Sequence, residues 1–225
     1  MNIISDIEAE NFQIERSSLK EQATELLRDL IVTGKIKPGS KITERDVADV
    51  LHISRMPARD ALMDLERDGL IVSKPGGRYV IELTEIDIRR LYQLRLALEK
   101  LALELTIALL RPEGLALLEG KLNDMRAAIT RGDIAAYTAS DLELHKIIWQ
   151  LADNPYLIHM LNSMIGPIFM FIASQASIVE DWQESLQLHE RMIAQLAARD
   201  IAAALKTMEA HTNHSLDLCL RTFKK

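Results

Sequence analysis

Gly34-Lys35-Ile36-Lys37-Pro38-Gly39-Ser40-Lys41-Ile42-Thr43-Glu44-Arg45, Leu51-His52-Ile53-Ser54-Arg55-Met56-Pro57-Ala58-Arg59-Asp60-Ala61-Leu62, Leu65-Glu66-Arg67-Asp68-Gly69-Leu70-Ile71 and Gly76-Gly77-Arg78-Tyr79-Val80 follow one another between residues 34 and 80 of a 225-residue chain. Two short helices, a tight turn and a Gly-containing hairpin in that order predict a winged helix-turn-helix. Thr43 is placed to cap a helix over 44–51, with Val47, Val50 and Leu51 as its apolar contacts. His52-Ile53 makes the turn, and Ser54 is placed to cap a second helix running to about Asp68. Ala58, Ala61, Leu62 and Leu65 recur at spacings of three and four, which gives that helix one buried face. Gly69 ends it, and Leu70-Ile71-Val72 and Arg78-Tyr79-Val80-Ile81 read as two strands around a Pro75-Gly76-Gly77 tip.

Arg55 and Arg59 share the other face of the second helix, in its first turn and a half. An arginine pair on an isolated helix is ordinarily a solvated face. At the start of the second helix of a helix-turn-helix, with a wing behind it, the pair is placed to contact DNA. Such a helix meets bases with its N-terminal residues, and the Arg fork fits guanine O6 and N7. Pro57 falls within the first turn, where its missing N–H costs little.

Net charge is −6 for the chain, yet residues 35–80 hold nine Lys and Arg against seven Asp and Glu, a local +2 that leaves −8 elsewhere. The basic character is confined to the head, which implies dimer-dependent, salt-sensitive binding. The single cysteine, Cys219, excludes an intrachain disulfide framework and fits a reducing cytoplasm. No signal peptide or long apolar run is present, since Leu91–Leu110 is interrupted by Arg95, Glu99, Lys100 and Glu104. A cytoplasmic protein without a membrane partner is expected.

The pattern divides into a flexible arm at 1–15, a winged helix-turn-helix at 16–82 and an all-α bundle at 83–225. The fold class is therefore mainly α. A first helix over about Ser17–Thr33 is expected to pack under the helix-turn-helix. Beyond the wing, Thr84-Glu85-Ile86-Asp87 resembles a capping box. Helices are expected near 84–110, 113–131, 134–152, 155–174, 180–198 and 201–222, with breaks at Pro112, Gly132-Asp133, Asn154-Pro155 and Arg199-Asp200. Gly166-Pro167 is expected to kink or interrupt the fourth of these. Asp-Ile-Ala-Ala opens a helix twice, at Asp133 and Asp200, without marking a duplication. Met160, Met164 and Met170 read as core or pocket lining.

Asp141 and His145 are four residues apart and share a helix face. His189 falls in the next-to-last helix, and His211 in the last with His214 three residues on. Three imidazoles and a carboxylate from three helices can converge on Zn²⁺, Ni²⁺ or Mn²⁺, one ion per chain. Spacing alone favours the reading of separate core and surface residues. Arg95, a lone cation on an apolar helix face, suits an effector carboxylate or an i, i+4 ion pair with Glu99. His52 and His159 are not read as ligands. A metal-dependent hydrolase could use the same cluster, but it needs a general base, and the His-Asp dipeptide frequent in helical hydrolases is missing. A DNA-binding dimer with a vestigial His cluster is a third reading.

The head resembles the GntR family of bacterial transcription regulators. Its marks are Pro38-Gly39, Glu44-Arg45, Ser54-Arg55-Met56-Pro57-Ala58-Arg59-Asp60-Ala61-Leu62, Leu65-Glu66-Arg67-Asp68-Gly69-Leu70 and Gly77 before Tyr79-Val80. Ala58 and Asp60 replace the usual Val and Glu, and Gly76 stands where many members carry an Arg, here displaced to Arg78. The resemblance implies DNA contacts by Arg45, Ser54, Arg55 and Arg59, and entry of the wing tip near Gly77 into the minor groove. The six-helix half looks like the FCD domain of the FadR branch, through Arg95 and Glu99, Asp141 and His145, Asn154, His189 and His211. That resemblance implies a metal held by Asp141, His145, His189 and His211, beside which a small organic acid binds with Arg95 holding its carboxylate. It also implies a VanR-like subgroup from the helix count, and no acyl-CoA ligand. The expected whole is a homodimeric regulator, a repressor by family habit, gripping double-stranded DNA at an inverted repeat.

Overall fold

The computed structural model describes residues 18–32, 34–173 and 179–224, so the arm expected at 1–15 lies outside the described residues. The head comprises α1 (Leu19–Val32), β1 (Lys41–Ile42), α2 (Glu44–Leu51), α3 (Arg55–Arg67), β2 (Ile71–Lys74) and β3 (Gly77–Val80). The rest is α4 (Glu85–Leu109), α5 (Pro112–Arg131), α6 (Ile134–Leu151), α7 (Pro155–Ala173), α8 (Val179–Ala197) and α9 (Ile201–Leu220), then a 3₁₀ turn over Arg221–Lys224. Among the described residues no helix is long and apolar enough to cross a membrane.

In the head, Thr43 caps α2 by accepting from the Asp46 amide at 3.1 Å. His52 turns the chain in the left-handed region at φ 54°. Ser54 takes the N-cap position of α3, but its side chain makes no capping bond. Ala58, Ala61, Leu62 and Leu65 are fully buried against Leu27, Ile31, Val47 and Val80. Each buried leucine contributes about 1.5–3 kcal/mol over an exposed one. Val50 departs from expectation at 71% exposed. Val47, Ala48 and Leu51 set the inward direction of α2, and Val50 points roughly 100° away from it.

The wing is a three-stranded antiparallel sheet in the order β1-β3-β2. β1 was not expected, because two residues are too short to show alternation. β3 is therefore central, and Lys41 of β1 pairs with Tyr79.

Among the described residues the bundle has six helices, at the expected breaks. Thr84 and Asp87 close a reciprocal capping box. Asp133, Asn154 and Asp200 each cap the helix that follows, accepting at 3.0–3.1 Å. α7 runs unbroken through Gly166-Pro167, so the expected interruption does not occur. Leu103, Leu118, Met125, Ile148, Trp149 and Met192 lie in one core. A smaller cluster of Ile88, Tyr92, Ile168, Cys219 and Leu220 joins α4, α7 and α9. Met160, read as lining, is instead 51% exposed.

Candidate functional site

Two sets of side chains carry chemistry. On the head, α3 presents Arg55 and Arg59 outward, and Arg45 projects from the start of α2 with its side chain 75% exposed. Ser54 and Gly77 are exposed as well, Gly77 at a φ of 139° that a side chain would strain. Arg78 behaves differently. Its guanidinium turns back to Glu44 at 3.0 Å and Glu66 at 3.3 Å, tying β3 to α2 and α3. The displaced arginine therefore fastens the wing to the head. Glu44 also lies 4.0 Å from Arg59, so one carboxylate faces both arginines.

In the bundle, α6, α8 and α9 bring Asp141, His145, His189 and His211 together, with one potential ligand atom from each inside a 4.8 Å span. The three imidazoles are at most 2% exposed. His189 Nδ1–H donates to the Ser185 carbonyl at 2.8 Å. His145 Nδ1–H donates to Glu99 Oε2 at 2.6 Å. These partners fix both tautomers and turn both Nε2 lone pairs inward.

The inward atoms then face one another. His145 Nε2 and His189 Nε2 are 3.3 Å apart, and Asp141 Oδ1 lies 2.9 Å from His189 Nε2. Asp141 Oδ1 and His211 Nδ1 are buried without a hydrogen-bond partner. A convergence of acceptors is unfavourable by itself and is of the kind that could hold a metal ion. Two metal bonds of about 2.1 Å span about 4 Å across an ion, so small side-chain rotations would close the cluster on one. Burial lowers the His211 pKa far below that of a free imidazole, helped by His189, His145 and Arg95. Its neutral form is the one that ligates. Burial pushes the Asp141 carboxyl upward, but His189, His145 and Arg95 together outweigh this and leave its pKa below the ordinary value.

Arg95 and Glu99 form the i, i+4 ion pair that was one of two readings, with Nε to Oε1 at 2.6 Å, in full burial. Arg95 also reaches inward, its Nη2 3.4 Å from His145 Nε2. Glu99 does more than its sequence position suggested, since it bridges Arg95 and His145. Its place in Arg-x-x-x-Glu marked it, but nothing local indicated a partner on α6. His214 faces Glu184 at 3.5 Å, while His52 and His159 are exposed; none joins the cluster.

Residues 90–214 match the FCD domain, and residues 19–81 match the bacterial regulatory proteins of the gntR family. The chain belongs to the GntR family. Its FCD half is consistent with the FadR branch. This GntR regulator is 28% identical over 193 residues to the HTH-type transcriptional regulator YdhC of Bacillus subtilis, covering 85% of this chain and 86% of that one. It is 28% identical to the gluconate operon transcriptional repressor of the same organism (81% and 77% covered). It is 25% identical to the repressor RspR of Escherichia coli (86% and 85% covered). In fold it is similar to E. coli McbR/YncC, with a TM-score of 0.76 at 22% identity over 92% of this chain and 99% of that one. GntR regulators bind DNA and act as dimers, and this chain is a DNA-binding transcription regulator rather than an enzyme. The hydrolase reading of the His cluster finds no support.

Proposed function

We propose that this GntR regulator is a homodimeric repressor whose hold on an inverted-repeat operator is loosened by a small organic acid bound at a metal ion in each FCD domain. Residues 16–82 form the DNA-binding domain, and 83–225 the metal-binding, effector-binding and dimerisation domain. Asp141, His145, His189 and His211 hold one Zn²⁺, Ni²⁺ or Mn²⁺ per chain. The bound ion supplies a Lewis-acidic anchor for a carboxylate, and no bond is made or broken. Arg95 adds positive charge beside that anchor. Glu99 and the Ser185 carbonyl keep His145 and His189 in the ligating tautomer. In the head, Arg55 and Arg59 read bases from α3, while Arg45, Ser54 and the Gly77 tip meet the backbone and minor groove. The protein would work in the cytoplasm, where its DNA is. The six-helix bundle suits the VanR-like subgroup, and the repressor names of two relatives support the sign of regulation.

One observation carries the metal-centred part: three buried imidazoles and a carboxylate aim acceptors at one point, two of them orphaned. The test is metal analysis of tag-free protein beside His189→Ala, followed by DNA-shift titrations with small organic acids. About one ion per chain, lost in the variant, is the expected result. Metal-free wild-type protein would sink the metal-centred reading and leave DNA binding standing.

A further inference from the structure

Arg78 is the wing's arginine, and Glu44 and Glu66 hold it against α2 and α3. Alternation along β3 therefore turns Gly77 and Tyr79 to the opposite, outer face of the sheet. Strand pairing sets Lys41 of β1 opposite Tyr79, and Lys74 of β2 opposite Gly77, so both lysines share that outer face. Each leans over β3. Lys74 Nζ lies 5.9 Å from the centroid of the Tyr79 ring. The Lys41 stem crosses Gly77, where a Cβ would stand 2.9 Å from its Cε and 3.6 Å from its Nζ. A Cβ at Gly76 would stand 3.3 Å from the Tyr79 hydroxyl. The two glycines thus keep the tip bare, and neighbouring polar side chains close over it.

Two ammonium groups over one strand repel each other, and among the described residues no carboxylate pairs with either. An anion is the missing partner. We infer that Lys41 and Lys74 together hold one backbone phosphate of the DNA at the rim of the minor groove, with the Tyr79 O–H as a third donor. Lysine amines are compact, strongly hydrated point charges that suit phosphate oxygens. A side chain at Gly76 or Gly77 would hold the duplex away from these donors. Lysines from the two strands beside β3 thus supply the charge that Gly76 lacks and that Arg78 turns inward. A contact of this kind sets how the head sits on the duplex and adds affinity without sequence preference.

The inference rests on the proposed entry of the wing tip into the minor groove, and two measurements separate them. Phosphate ethylation interference on a duplex selected in vitro maps the contacted phosphates. Wild-type protein should show interference at the minor-groove rim beside each half-site, and Lys41→Gln with Lys74→Gln should lose it. Salt-dependent titrations then count the phosphate. Each single variant should weaken binding to the selected duplex and to an unrelated one alike, by about 3–10-fold. The double variant should lower the salt slope by about 1 per head, because the lysines share one phosphate. Lys41→Arg keeps the charge and should keep the slope. Both lysines are exposed, so far-UV circular dichroism should be unchanged. A double variant that keeps the interference or the wild-type slope, or whose slope falls by about 2 per head, would overturn the shared phosphate site alone. Wild-type protein without interference at the minor-groove rim would overturn wing entry itself.

Discussion

Glu44 faces two arginines, Arg78 at 3.0 Å, which ties the wing to the head, and Arg59 at 4.0 Å, which is proposed to read bases. Arg78→Ala should therefore cost the head about 1 kcal/mol of stability while leaving the salt dependence of DNA binding nearly unchanged. Arg59→Ala should instead weaken specific binding by about 1–3 kcal/mol and relax base preference at one position of each half-site. Thermal melts and salt-dependent DNA titrations check both. In the bundle, Glu99→Gln keeps every ligand but loosens the hold on His145. It should lower metal affinity by about 10–100-fold, read by competition with a chelator. The four proposed ligands were legible because their types and spacings, with the family resemblance, picked them out. Glu99 was not legible as their support. Its pairing with Arg95 four residues back already explained it, and no periodicity reports a contact 46 residues away at His145.

At the scale of elements, the sequence was most readable where chemistry is local. Thr43, Thr84, Asp133 and Asp200 cap the helices they announced, because capping joins residues two or three apart. Val50 and Met160 were misread, since apolar character does not reveal which direction a helix turns inward. β1 was missed because a two-residue strand exists only through its pairing with β3. α3 was the most legible element, since its buried face repeats over 13 residues. Leu62→Ala at its centre should destabilise the head by about 2–5 kcal/mol, seen as a lower midpoint in chemical denaturation. The Thr84 box sits where head meets bundle. Thr84→Ala should cost about 1 kcal/mol and fray the first turn of α4, raising amide exchange there.

At the scale of the whole molecule, the proposed ligands come from α6, α8 and α9, which lie far apart in sequence. A ligand that binds only the folded state at 100 times its dissociation constant stabilises by about 2.7 kcal/mol. Chelation should therefore lower the melting temperature of the wild type, whereas His189→Ala should melt at one temperature with or without chelator. α7 links the bundle to the head, since it packs on both α4 and α1. A change in the bundle thus has a solid path to the surface that meets DNA.

The length of α4 turns that path into a ratio of movements. Its 25 residues make a rod of about 37 Å. Glu99, which grips His145, stands about 21 Å from the end that carries the head. A tilt of about 5° pivoting at Glu99 sweeps that end through about 2 Å, and two protomers tilting in opposite senses change the gap between heads by about 4 Å. Successive base pairs are stacked about 3.4 Å apart. On the proposed two-fold operator, a rotation too small to disturb the packing around Glu99 would thus be amplified into a misfit of a whole base-pair step between the half-sites.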